Sequence, residues 1–449
     1  MNIYKDAVQN SVWEKLWKEV INAELVMLVV NEIWQEEVSL KKINIVTSKW
    51  VFKSKMHVNN FLDKLKTKLI VRDFFQIHEV DYENTFTSII KFDTLQVFLI
   101  IATMKNLELH QVNVNNVFTE SFLKEIIYMF FLSKVKVRFN CALKVLQSLY
   151  NLKQAAQDWH DCCVTTLSEL NFAQCVADSC LLIHELKEIM LLLYINNIVI
   201  IFKSLSNIKW FKHEFQCVFK VKNLKKMKKI LDIQITCNRK TWILQMNQTH
   251  YLHDILEKLN MRQDKHKIID FSINEYDAFR SAELKDVRIN QHEYQQVIES
   301  LMYAAIHTCL DITFAFNRLS QYLSDSAEHH EHALKKLMQY VHFIIDLNIT
   351  YEVSESMKLV EYSDSDYVLD RLDCKLILVY IYMLNEESIF WTSWKQKFIV
   401  TLIIKTKYMT LSIYIKKDLW INQVLKNMNL TKYLNISHSH VNILEKITH

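Results

Sequence analysis

Leu191-Leu192-Leu193-Tyr194-Ile195-Asn196-Asn197-Ile198-Val199-Ile200-Ile201-Phe202 is the stretch on which the fold turns. Two apolar halves flank a pair of asparagines. That pattern suits a buried β-hairpin whose tip carries Asn196 and Asn197. The longest apolar run of the chain, Ile189 to Phe202, contains this stretch. It is too short to span a membrane and holds two polar amides in its middle.

Outward from the hairpin, Lys209 to Phe219 and Tyr251 to Leu259 read as helices. On the N-terminal side, residues 93 to 106 look helical. Trp50–Phe52 and Lys68–Val71 read as strands, with His57 to Lys64 as their turn. Residues 8 to 40 read as a helix and then a short strand. Residues 262 to 290 are polar and irregular, the best linker candidate, and helices at 291–306 and 326–345 follow. Strand-like runs (Lys358–Ser363, Leu376–Leu384, Ser388–Trp391) and a helix at 408–428 complete the pass. Short strands alternating with helices argue for mixed α/β domains.

At 449 residues the chain is long enough for two to four domains. It is 50% hydrophobic, 23% charged and 12% aromatic, which supplies large cores and argues against disorder of the whole. The net charge of +4 permits a nucleic-acid partner without arguing for one. Nine scattered cysteines form no CxxC pair, so neither a disulfide framework nor a zinc set is expected. The amphipathic N-terminus lacks the apolar core of a signal peptide. The expectation is an intracellular protein, cytoplasmic or nuclear, with no transmembrane segment and no membrane partner.

The chain contains no glycine and no proline. Ordinary usage would place roughly 31 glycines and about 22 prolines in this length. Backbone positions that need φ > 0 must then be filled by Asn, Asp or a strained residue. Rigid turns and helix stops are lost as well.

An ordered set of motifs runs through nearly the whole chain. It comprises KWVFK (49–53), KTKLIVRDF (66–74), Val80-Asp81-Tyr82 with Thr85-Phe86 and Lys91-Phe92, LELHQVNVNNVF (107–118) and EIIYM (125–129). Then come QSLYNLKQAAQDW (147–159), LLLYINNI (191–198), LDIQI (231–235), ESLMYAAIHTCLDI (299–312), EYSDSD (361–366) and FWTSW (390–394). The set resembles the reverse transcriptase and RNase H region of copia-type LTR retrotransposon Pol polyproteins. The resemblance implies an α/β (α+β) right-hand polymerase of fingers, palm and thumb, followed by a truncated RNase H-like domain. The implied boundaries are 1–260 for fingers and palm, 261–350 for a thumb- or connection-like helical region, and 351–449 for the incomplete RNase H-like domain. The implied activity is RNA-directed DNA synthesis on an RNA template with a DNA primer. Nothing in the sequence speaks to the oligomeric state.

Departures from the family pattern carry as much information. Asn151 and Ala156 stand where the family has Gly and Pro, Asp73 and Glu299 stand for Gly, and Cys309 and Leu310 for Arg and Pro. Most of these are single G-to-A or C-to-T steps, the pattern of a degenerate copy, though Pro to Ala at 156 does not fit it.

The same departures reach the chemistry. Nucleotidyl transfer uses two magnesium ions roughly 3.5–4 Å apart. Magnesium prefers charged oxygen ligands, and the resemblance implies three palm carboxylates. Their positions here are Asn113, Asn196 and Asn197. Amides are uncharged, so the expectation is a chain that does not bind Mg2+ and is catalytically inactive. The alternatives are a non-catalytic nucleic-acid-binding remnant and a non-functional pseudogene product. Lys66 and Arg72 match fingers residues that contact the triphosphate as charge-assisted donors, or are simply exposed strand charges. Gln154 matches a segment near template and nucleotide.

In the RNase H-like part, Asp364 matches the family's first acid. Lys405 falls in Ile403–Tyr408, the segment that carries the next one, and sets a positive charge where a metal ligand belongs. The third acid's segment is missing between Leu425 and Tyr433. His329, His330 and His332 are expected to be solvated helix residues, since their spacing is not i, i+4. The run Lys220 to Lys229 is expected to be a solvated helical face or a nucleic-acid contact.

Overall fold

The computed structural model describes residues 14–38, 43–56, 62–85, 90–130, 141–258, 279–353, 359–366, 377–384, 387–395 and 403–430. Most of the turn expected at His57 to Lys64, the linker residues 262–278 and the tail from Tyr433 lie outside them. The structure is mixed α/β with four sheets among the described residues. The chain divides into two compact units, each discontinuous in sequence: 1–90 with 111–174 and 179–225, and 91–110 with 175–178 and 226–449.

The first unit holds a five-stranded sheet in the order Trp34–Val38, Cys141–Gln147, Phe122–Phe130, Ile45–Met56, Leu62–Val71. Ile45–Met56 and Leu62–Val71 pair antiparallel, with Trp50 opposite Leu69 and Lys53 opposite Lys66. Period-2 alternation turns Trp50, Leu69 and Val71 inward. They share a core with Ile127, Met129 and Val145, and the helix Glu14–Val30 contributes Ile21 and Leu28 to it. That helix ends well before residue 40. Its N-terminal share of the expected span lies outside the described residues.

The hairpin is present, with Ile189–Tyr194 antiparallel to Asn197–Phe202 in the register Tyr194–Asn197 through Ile189–Phe202. Both strands are buried almost end to end, which is why they read as continuous apolar runs rather than alternating ones. They lie centrally in a six-stranded sheet, ordered Val221–Lys226, Glu108–Val114, Asn197–Phe202, Ile189–Tyr194, Leu181–His184, Ala173–Gln174. The helices Ala155–Glu169 and Leu205–Val218 belong to the same unit; Phe211 stacks on Phe215 along the second, and Phe215 meets Phe219, just past its end, in a tilted contact. The Lys220 to Lys229 run contains the strands Val221–Lys226 and Lys229–Ile230, so the expected helical face is corrected to β-structure.

In the second unit, the helix Phe92–Met104 is buried at every residue from Thr94 to Thr103, as expected for a helix that is apolar all round. A four-stranded antiparallel sheet joins Lys229–Ile230, Ile233–Asn238, Ile243–Asn247 and Ile349–Glu352. A three-stranded antiparallel sheet joins Leu359–Asp366, Ile377–Leu384 and Glu387–Lys395. The helix Ile403–Asn427 follows and starts earlier than its periodicity predicts. Its Lys417 pairs with Asp93 and sits over the rings of Phe390 and Trp420 at 4.4 and 4.8 Å.

A helical core is built from Thr249–Lys258, Gln291–His307, Thr313–Ser320 and Glu328–Phe343 around Leu301, Leu319, Leu334 and Leu337. Thr313–Ser320 went unread in the sequence. The expectation of solvated histidines fails at His330, which is fully buried. Its Nδ1 accepts the Ala327 amide at 3.1 Å, its Nε2 donates to the Arg280 carbonyl at 2.8 Å, and its ring stacks on Tyr322 at 4.0 Å. It caps the helix from inside. No described helix is long and apolar enough to cross a membrane.

Thirteen described residues hold positive φ, all without glycine. Asn106, Asn116, Asn151, Asn171, Asp232 and Asn429 are residue types that tolerate that region. Asn151 also uses its amide, which donates to the Val71 carbonyl at 2.9 Å and to Asp73 at 2.8 Å. Glu32, Glu79, Glu188, Ile195, Lys225, Leu231 and Trp242 have no such excuse and carry strain.

Candidate active site

The hairpin tip is a two-residue loop, Ile195-Asn196, closed by the Tyr194–Asn197 pair. Ile195 has φ of +50°, the first-position geometry of a tight hairpin turn that favours glycine. A β-branched residue is strained there. Three groups hold the tip. The Trp159 indole Nε1 donates to the Ile195 carbonyl at 2.6 Å. The Val114 amide donates to the Asn196 carbonyl at 2.8 Å. The Asn197 side chain receives the third set of bonds.

Asn113 and Asn197, 84 residues apart in sequence, are brought together at the tip: Asn113 Nδ2 donates to Asn197 Oδ1 at 2.9 Å. Gln111 Nε2 donates to the same oxygen at 3.2 Å. Asn197 Nδ2 in turn donates to Asn196 Oδ1 at 3.2 Å. The three sequence-predicted palm positions therefore form one cluster of amides, each half-buried. Gln111 and Trp159 were not singled out in the sequence. Both lie inside quoted motifs, and Gln111 is two residues before Asn113, so strand periodicity alone sets it on the same face.

Ile195 provides a direct check of the strain. Replacing Ile195 with Gly should stabilise the fold by about 1 kcal/mol, because relief of positive-φ strain outweighs the added unfolded-state entropy. A melting temperature equal to or below the parent's would show that the Trp159 bond leaves no strain to relieve.

Lys66 is exposed and stands directly opposite Lys53. Arg72 is half-buried, and its backbone amide donates to the Thr47 carbonyl at 2.8 Å. Gln154 is 2% exposed. It accepts from Gln76 Nε2 at 3.0 Å and donates to the Asp81 carbonyl at 2.9 Å and to Glu125 at 3.2 Å. These bonds spend its amide on tying residues 76–81 to the helix Ala155–Glu169. Nearby Asp158 accepts from the Ser148 hydroxyl at 2.7 Å, and burial pushes its carboxyl above the usual range.

Asp364 lies in the strand Leu359–Asp366 opposite Val379, and Lys405 lies near the start of the helix Ile403–Asn427. The structure does not describe the side chains of these two residues.

The sequence model described as reverse transcriptase (RNA-dependent DNA polymerase) matches residues 31–272. The chain is 25% identical over 425 residues to the retrovirus-related Pol polyprotein from transposon RE1 of Arabidopsis thaliana, covering 93% of this chain and 28% of that protein. It is 26% identical over 422 residues to the RE2 counterpart of the same plant, covering 92% and 28%. The Pol polyprotein from transposon TNT 1-94 of Nicotiana tabacum is 26% identical over 391 residues, covering 85% and 29%. The chain thus spans little more than a quarter of the length of these relatives. The resemblance read from the ordered motifs is borne out, and the chain belongs to the reverse transcriptase (RNA-dependent DNA polymerase) family.

Proposed function

We propose that this chain is a copia-type reverse transcriptase region that binds nucleic acid but does not carry out metal-dependent nucleotidyl transfer. The observation that carries the reading is the amide cluster. Magnesium needs hard, charged oxygen ligands in near-octahedral array. The cluster offers only neutral oxygens, and Asn197 Oδ1 already accepts two amide donors. These residues do not fit a pair of divalent cations, and Mg2+ has no place in the chemistry of the chain as it stands.

Nucleic-acid binding is supported by the ribbon Ile45–Met56/Leu62–Val71. Lys49, Lys53, Lys66 and Lys68 are exposed at positions that alternation and register put on one face, and Lys53 faces Lys66 directly. Like charges directly opposite one another destabilise a sheet. Although its side chain is exposed, partial desolvation of the Lys68 ammonium, which lies 3.6 Å from the Tyr150 ring centroid, lowers its pKa from the usual range; Glu24 opposes this and Lys66 and Lys53 add to it. A polyanion relieves that repulsion and releases its own counterions. The family's RNA template and DNA primer are ligands of this kind.

In this reading, residues 1–260 correspond to fingers and palm and 261–350 to a thumb- or connection-like region. Residues 351–449 correspond to an incomplete RNase H-like domain. The three antiparallel strands followed by a long helix support the last assignment.

Binding of a labelled primer–template, titrated against salt, tests the proposal. Lys53→Glu with Lys66→Glu should weaken binding at least about tenfold and shallow the log–log salt slope by about 2. Chelation of divalent ions should leave the affinity unchanged. An unaltered salt slope in the double variant would remove the lysine ribbon from the interface.

A further inference from the structure

We propose that residues 279–289 form an acid-released strap over the start of the helix Glu328–Phe343, fastened at one end by the His330 imidazole and anchored at the other by the Arg288–Asp325 ion pair. The fastened end is a pair of carbonyls. The Tyr322 hydroxyl donates to the Phe279 carbonyl. The Arg280 carbonyl accepts from His330 Nε2 at 2.8 Å, and His329 Nε2 lies 3.2 Å from the same oxygen. At the anchored end Arg288 grips Asp325 through Nε and Nη2, at 2.6 and 3.1 Å. There the Glu328 amide donates to the Val287 carbonyl at 3.1 Å, and the Ile289 amide to the Ser326 carbonyl at 3.3 Å. Between the ends, Arg280 and Asp286 make a bidentate pair at 2.6 and 2.8 Å that stiffens the strap itself.

Little apolar packing holds the strap. Phe279 is buried and Ile289 packs against the helical core, but Leu284 and Val287 are exposed. Segments held by polar contacts rather than by burial open at the lowest free energies. The contact that acid attacks is the imidazole. His330 Nδ1 accepts the Ala327 amide while Nε2 donates, so both ring nitrogens are engaged only in the neutral ring. A proton on Nδ1 turns the acceptor into a donor that faces an N–H. The charged groups around the ring are the Arg280 guanidinium on the strap, His329 on the same helix and Asp325 ahead of it. Tyr322 stacks on the ring at 4.0 Å. Asp286 is held well below the usual carboxylate range, chiefly by its hydrogen bonds from Arg280. The strap's internal pair therefore survives the acid that breaks the imidazole's bonds.

Release of the strap returns His330 to water, where an imidazole titrates near pH 6.5, whereas under the strap burial holds it at about 4. Between those values the released state takes up a proton that the fastened state refuses. Fastening is therefore complete above about pH 6.5 and weakens as the pH falls toward 4. Linkage sets the rise of the released fraction at about twentyfold from pH 7 to pH 5.

Hydrogen–deuterium exchange of the full chain reads the release. Corrected for the pH dependence of chemical exchange, protection of the Ile289, Ala327 and Glu328 amides should fall about twentyfold from pH 7 to pH 5. At both values it should stand below that of Leu334 to Val341 in the same helix. It should also ignore low urea, as an opening that exposes little surface does. A strap that shares the protection and urea slope of that helix opens only with the whole unit, which overturns the proposal. So does protection that ignores pH. His330→Gln should abolish the pH dependence and His329→Gln should keep it; the reverse pattern overturns the proposal too. The comparison with the helix is made on the unaltered chain and is decisive even where His330→Gln fails to fold.

Discussion

Primer extension on an RNA template yields no product from this chain with magnesium or with manganese, and yields product from a version carrying Asn113→Asp, Asn196→Asp and Asn197→Asp. That is the largest effect expected of any change to the protein. A bound metal supplies several kcal/mol of charge stabilisation to the transition state. Loss of about 4 kcal/mol is about a 10³-fold loss of rate. In the proposed reading three neutral amides stand where the family's three charged ligands belong, so the expected deficit is at least of that order. The main chain of the tip is fastened by Trp159 and Val114, through bonds that do not involve the side chains being changed. Extension by the unrestored chain would falsify the reading of the asparagines. Silence from both versions, with primer–template binding retained, would move the lesion to other replaced positions such as Asp73 or Glu299.

Acidification destabilises the second unit through His330, and this is the next largest effect. Burial is the main cause that lowers the His330 pKa to about 4, and His329 and the Arg280 guanidinium push the same way. The hydrogen bond to the Arg280 carbonyl and the charge of Asp325 oppose it. The free imidazole titrates near pH 6.5, so between about 6.5 and 4 the unfolded chain binds a proton that the folded chain refuses. Stability is therefore complete above about pH 6.5 and is lost as pH falls toward 4, by about 3 kcal/mol in all. The geometry gives the same sign, since Nδ1 must stay unprotonated to accept the Ala327 amide. Melting followed from pH 7.5 to 4.5 should show this loss, and His330→Gln should flatten it. An equal pH dependence in the variant would assign the effect to other groups.

The hairpin was legible because two apolar runs around a polar pair admit few other structures. The co-location of Asn113, Asn196 and Asn197 was legible only through the family resemblance, since nothing local links residues 84 apart. Gln154 shows where such reading stops. Its place in a motif was plain, but its partners Gln76 and Asp81 are 78 and 73 residues away, and only the folded chain brings them to it. His330 was misread for the same reason. On a helical wheel it is one polar residue among several, and its burial follows from Tyr322 and the Arg280 carbonyl closing over it. The Lys220 to Lys229 run looked helical by composition, whereas strand structure depends on a pairing partner that composition does not reveal.

The fastening of the hairpin tip has an evolutionary corollary. The bonds from Trp159 to the Ile195 carbonyl and from Val114 to the Asn196 carbonyl reach main-chain atoms only. Shape and chemistry are thus encoded by different residues. Exchange of aspartate for asparagine keeps the side-chain outline, so selection for a folded chain alone would not register a loss of catalysis at this tip. The same holds in reverse. Each of the three asparagines is one base step from aspartate, so carboxylates can enter one at a time at a tip whose main chain stays fastened.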